Sequence, residues 1–285
     1  QMDEHKEPID EVIGSGVRGQ TYLYWHGDQL YELPVSYWRD GDRWINSPGF
    51  PDGSAEFSRP VTARCLECHA TTVQAKSMSN TDNRFVRTTL QHGIGCARCH
   101  GPSATHVATE RKAAAKGALK DNTPQILNPA RFSREQQVDL CALCHGGRRD
   151  QVAPAFSYTA GDLLDNFLAE APPNSSASPD VHGNQVGLLR RSKCYLNSPE
   201  MTCSTCHQVH APEKEAYTYS SRCLSCHKIE ACGMYPKLGH TIANDCIRCH
   251  MPMQLTNSIV SQTAGETIHT TIRTHWIRVY PESNP

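Results

Sequence analysis

A five-residue phrase, two cysteines separated by two residues with histidine directly after, recurs six times in this chain of 285 residues. It runs from Cys65 through Cys68 to His69, Cys96 through Cys99 to His100, and Cys141 through Cys144 to His145. It returns from Cys203 through Cys206 to His207, Cys223 through Cys226 to His227, and Cys246 through Cys249 to His250. Two thiols at that spacing can reach the two vinyl groups on one porphyrin edge, and the next residue can turn its imidazole onto the iron. This is the attachment signature of c-type haem. Structural zinc is the competing use of paired cysteines, and the sixteen residues between Cys206 and Cys223, or nineteen between Cys226 and Cys246, suit a four-cysteine ribbon. A ribbon has no use for histidine after its second cysteine, yet all six copies carry one although His is only 15 of 285 residues. Chance gives that about once in 10^8. Six covalent haem c groups are therefore expected, on those cysteine pairs and with the six motif histidines as proximal ligands.

Composition agrees with a core built around a cofactor. With glycine counted and tyrosine left out, about 41% of residues are apolar, below the usual 45–50% of globular domains. One haem per roughly 48 residues would supply the missing buried surface. The expected fold is a mainly α-helical and irregular multihaem cytochrome c, with a haem-organised core, little regular structure and a small N-terminal β-meander. The formal charge of −1 becomes about −7 oxidised and about −13 reduced once six haems bring their propionates. Nucleic acid is excluded as a partner on that charge, and Arg111, Lys112, Lys116 and Lys120 read as a solvated helix face. No apolar stretch approaches the length of a membrane span. Haem is attached to cysteine pairs outside the cytoplasm, so the expected location is periplasmic or extracellular, with an export signal already cleaved. The two leftover cysteines, Cys194 and Cys232, suit a disulfide in such a compartment, with two separate buried thiols as the alternative.

Residues 1–60 carry no motif and form the expected β-rich segment: Thr21 to Trp25, Leu30 to Trp38 and Arg43 to Asn46 are rich in aromatic and β-branched residues, with turn-forming residues between. Residues 61–285 form the hexahaem region, read as short helices between loops. Ser133 with Gln136 predicts a capping box that starts a helix delivering Cys141 and Cys144, and Ala104 to Lys120 predicts another helix. Residues 171–180 form a polar linker that is either a subdivision or a surface loop. Gly265 to Tyr280 reads as extended. The first cysteines of successive motifs lie 31, 45, 62, 20 and 23 residues apart, which argues against a solenoid.

The sixth position of each iron separates an electron carrier from an enzyme, because an open position can bind substrate. Nine histidines lie outside the motifs. His92, His106, His210 and His240 are the distal candidates closest to motifs, each too constrained to cap its own haem and so directed to a neighbour. His182 and His275 complete the set. A strand over residues 267–276 would put His269 and His275 on one side about 20 Å apart, so that they could not share an iron, and His269 is the substitute for His275. His5 and His26 lie in the haem-poor N-terminal region and read as solvated. Met251 and Met253 read as packing rather than ligation.

The segment from His92 to Pro102 followed by His106, and Cys246 to Pro252 preceded by His240, resemble multihaem cytochromes c of the hydroxylamine-oxidoreductase and pentahaem nitrite-reductase superfamily. Tetrahaem electron-transfer cytochromes are nearer in role. The resemblance spans roughly residues 60–280. It implies haems packed in parallel-stacked and perpendicular pairs, and it supports His92, His106, His210 and His240 as distal ligands. Ammonia-forming nitrite reductases carry lysine in place of the motif histidine at their active haem, and no such motif occurs here. No catalytic residue is assigned. The expected function is electron transfer between redox protein partners by six haems, mostly or all bis-histidine. The alternatives are a subunit of a conductive extracellular filament, with haem-to-haem contact between copies, and an oxidoreductase acting on a nitrogen or sulfur oxyanion at one open haem.

Overall fold

The computed structural model describes residues 5–117, 126–170, 183–211 and 216–281. The polar linker, His182 and Lys120 lie outside the described residues. The chain divides into two compact units, one made of residues 1–132, 149–170 and 259–269 and the other of residues 133–148, 171–258 and 270–285.

The first unit is built on an antiparallel meander of β1 (Glu11–Ile13), β2 (Gly19–His26), β3 (Gln29–Trp38) and β4 (Arg43–Asn46), paired in chain order. Its register sets Trp25 opposite Leu30 and Val35 opposite Asn46. The run Tyr22-Leu23-Tyr24-Trp25 alternates faces as a strand must. Leu23 and Trp25 join Leu30, Val61, Leu66, Ala70, Val73 and Phe85 in one cluster, while Tyr22 and Tyr24 join Leu33 on the other. The first of these clusters also holds α1 (Ala63–His69), so the sheet is the wall against which the first motif packs. Leu30 is 0% exposed at its centre. Leu30→Ala is expected to cost about 2–5 kcal/mol, read as a lowered denaturation midpoint.

Strand β5 (Ala70–Ala75) leaves α1 directly and pairs with β6 (Phe85–His92), with Ala70 opposite His92. Two helices follow, α2 (Ala97–His100) and α3 (Ala104–Ala115), and neither buries a residue. The helix expected to reach Lys120 ends at Ala115, and Gly117 takes φ +63, a left-handed conformation that leaves a helix at little steric cost. Short strands β7 (Arg149–Gln151) and β8 (Leu168–Glu170) pair and anchor the loop between them.

The second unit starts at α4 (Arg134–His145), where Ser133 accepts from the Gln136 backbone and the Gln136 side chain accepts from the Ser133 N–H. Val138, Ala142 and Leu143 form its buried face. Arg134 ties α4 to the carbonyls of Tyr195 and Met201 at 2.7 and 2.9 Å. Helices α5 (Gln185–Arg190), α6 (Lys193–Leu196), α7 (Ala216–Cys223), α8 (Tyr235–Leu238) and α9 (Cys246–His250) are all short.

A hairpin of β9 (Met253–Thr263) and β10 (Glu266–Arg273) contributes its tip to the first unit and its base to the second. Ala264 and Gly265 turn it with positive φ, and their N–H groups donate to Asp52 at 3.0 and 2.6 Å. The expected strand over residues 267–276 stops at Arg273: Thr274 N–H still reaches the Pro252 carbonyl, but Pro252 has no N–H to return the bond. Among the described residues, no helix is long and apolar enough to cross a membrane.

Candidate haem-binding sites

Every motif folds as one tight turn. In α1, α4 and α9 the motif lies inside a helix, and at the other three sites the histidine N–H reaches the carbonyl of the first cysteine, from His100 to Cys96, His207 to Cys203 and His227 to Cys223, each at 2.9 Å. That turn brings both thiols and the imidazole to one side, which the two thioethers and the axial bond of one haem require.

Backbone carbonyls set the tautomer at two of the motif histidines. His100 donates Nδ1–H to the Leu127 carbonyl at 2.8 Å, and His250 donates to the Arg278 carbonyl at 2.9 Å. A proton held on Nδ1 leaves the lone pair on Nε2, the nitrogen that binds metal.

In the first unit, the pairing of Ala70 with His92 brings the first motif's histidine beside a distal candidate: His69 and His92 line one small cleft of about 40 Å³ with Leu23, Leu30 and Leu66. His92 Nε2 is held by Glu11 at 2.6 Å. Beneath this cleft the two motifs of the unit are joined by charge. Glu67 is 3% exposed at its side chain and meets Arg64 at 2.9 Å and Arg98 at 3.4 Å. His106 is half-buried on α3.

In the second unit the thiols of separate motifs touch. Cys141 hydrogen-bonds with Cys203, and Cys223 with Cys246. His207 and His275 face each other with ring centroids 6.1 Å apart and planes 16° from parallel. Two imidazoles on opposite sides of one metal, each nitrogen about 2.0–2.1 Å from it and each centroid about 1.2 Å further out, have centroids about 6.4 Å apart. The observed separation is about 0.3 Å shorter than that. His275 is half-buried, loss of hydration pushes its pKa down to about 4, and its Nδ1–H is turned to the Arg273 carbonyl at 3.3 Å. A neutral ring with Nε2 as its lone-pair nitrogen is the ligating form. Tyr219 packs on His207 at 5.3 Å.

The other distal candidates stand apart. His210 is exposed, and exposed His240 accepts or donates to the Tyr235 hydroxyl at 3.0 Å. His269 sits within β10 while His275 lies beyond its end, so the same-strand relation between them does not hold. Cys194 and Cys232 are two separate thiols rather than a disulfide. Cys194 is electrostatically closest to thiols of the fourth and fifth motifs, Cys206, Cys223 and Cys226, and Cys232 to Cys249 of the sixth. Glu67, Arg98 and Tyr219 were not legible as site residues. Opposite charges at the same position of two consecutive motifs were the available signal.

Residues 53–101, which hold the first two motifs, match the family model described as cytochrome c554 and c-prime. The chain is 23% identical to the C-type polyheme cytochrome OmcC of Geobacter sulfurreducens over 228 residues, 69% of this chain and 27% of that protein. It is 24% identical to the multiheme cytochrome MtrA of Shewanella baltica over 182 residues, 57% of this chain and 51% of that protein. The chain thus spans about a quarter and about half the length of these curated relatives. No solved structure matches it. The motifs and these likenesses together mark the chain as a multihaem c-type cytochrome that binds haem and iron.

Proposed function

We propose that the chain carries six covalently attached haem c groups, mostly or all with two histidine ligands, and passes electrons between protein partners outside the cytoplasm rather than catalysing a reaction. The observation that carries this reading is the His207–His275 pair, whose 6.1 Å separation suits two ligands of one iron. An iron filled on both sides exchanges electrons without admitting substrate. Haem supplies one-electron chemistry between Fe(III) and Fe(II). The chain's residues hold it in place: cysteines anchor the edge, His207 and His275 fix the axis, and backbone carbonyls orient His100 and His250. The Cys141–Cys203 and Cys223–Cys246 contacts favour transfer along the chain, since they draw the anchored edges of the third and fourth haems, and of the fifth and sixth, together. The likeness at residues 53–101 supports an electron-transfer role, and the superfamily resemblance remains our reading of His92 to His106 and His240 to Pro252.

The test is a haem count with an optical and electron-paramagnetic-resonance spectrum of the oxidised protein. Six haems per chain, all low-spin, are expected. A high-spin fraction equal to one haem would overturn the carrier reading in favour of a reductase with an open iron.

A further inference from the structure

The charges joining the first two motifs point to a function beyond holding chain together. Arg98 occupies the second variable position of its motif and Glu67 the same position of the preceding one. The Arg98 side chain is 9% exposed. Its Nη2 meets the Glu67 carboxylate at 3.4 Å and the Glu67 carbonyl at 3.3 Å, and its guanidinium lies 5.2 Å from the Phe156 ring centre. Phe156 has φ +66, a conformation that a bulky residue rarely adopts, and in it the Phe156 N–H donates to Glu67 at 2.7 Å. Local strain of this kind persists only where surroundings over-determine it. Glu67, Phe156 and Arg98 are therefore fixed against one another. One donor is left over: Arg98 Nε is buried and has no hydrogen-bond partner.

A buried guanidinium N–H calls for an anionic acceptor, and the anions that belong beside a haem motif are the haem's own propionates. We propose that Arg98 donates Nε–H to a propionate of one of the two haems attached at residues 65–69 and 96–100, and that the Arg98–Glu67 pair sets the potentials of those two haems. The proposal rests on the haem reading above. Its physical basis is the charge of the haem core, which falls by one when iron is reduced. A guanidinium held nearby at low dielectric favours the reduced state, and a carboxylate favours the oxidised one. Arg98 is here a propionate-binding residue, and Glu67 and Phe156 are positioning residues.

The sign of the effect separates this from a purely structural role. In potentiometric titration of the six-haem protein, R98Q should lower the potential of one or two haem components and E67Q should raise them, with the others unmoved. R98K, which keeps the charge and loses the Nε donor, should sit between R98Q and the native protein. R43Q, at an arginine 46% exposed and paired with Glu266, should shift nothing. Shifts of R98Q and E67Q in the same direction, or spread over all six haems, or absent, overturn the proposal. Should R98Q fail to load six haems, E67Q decides alone, since its Gln can still accept from Arg64: an upward shift in at most two components supports the proposal, and none overturns it. The spin state of the same samples reports axial ligation separately, so a failed ligand assignment is not confused with a failed Arg98 assignment.

Discussion

His275→Ala is expected to convert one haem in six from low-spin to high-spin while haem content stays at six. The thioethers to Cys203 and Cys206 and the bond from His207 do not involve His275, so the haem is retained and only its far side opens. One sixth of the low-spin intensity should move to a high-spin signal, and exogenous imidazole should restore it. The measurement is the oxidised spectrum before and after imidazole. Were His275 a packing residue stacked on His207, the variant would lose stability but stay wholly low-spin, and that outcome would remove the pairing. His269→Ala is the matched control and should leave the spectrum as it was, since His269 belongs to a strand that ends before His275. His275→Met should keep the iron low-spin and raise its potential, because a thioether favours ferrous iron more than imidazole does.

The second large effect concerns the chain without haem. Serine at both cysteines of every motif should leave the second unit without cooperative structure. Beyond α4, its described helices run no longer than eight residues, α8 buries none of its side chains, and the fourth motif's turn buries none either. Helices that small do not stand on propensity and need a packed face. With haem bound, porphyrin would supply the apolar face that completes them. The meander in the first unit differs, because Leu23, Leu30, Leu66 and Phe85 pack on one another. Amide exchange of the haem-free chain should therefore show protection in β2 and β3 and little in α5 to α9. A single cooperative transition carrying native-like protection into the second unit would sink the idea.

What the residues disclosed before the structure, and what they hid, follows from the range of the interactions. The start of α4 was legible because a capping box is three residues long, and the faces of β2 were legible because alternation is local. The end of α3 was overrun, since alanine and charge continue past Ala115 and only the conformation of Gly117 turns the chain away. A single strand through His269 and His275 fails for a non-local reason, since Pro252 opposite Thr274 has no N–H to continue the ladder. In the site, the motif itself marks the cysteines and histidines that would anchor haem, and His92 and His275 are among the nine spare histidines. Their neighbours were not legible: His275 lies 68 residues from His207, and Glu67 is 31 from Arg98 and 89 from Phe156.

The way the two units draw on the chain also constrains how the molecule matures. The first unit needs residues 149–170 and 259–269, so its last piece is synthesised after all six motifs. The unit therefore closes on late-made residues, with Asp52 receiving the hairpin turn at Ala264 and Gly265. By the same token, no cut at one point in the chain releases either unit whole.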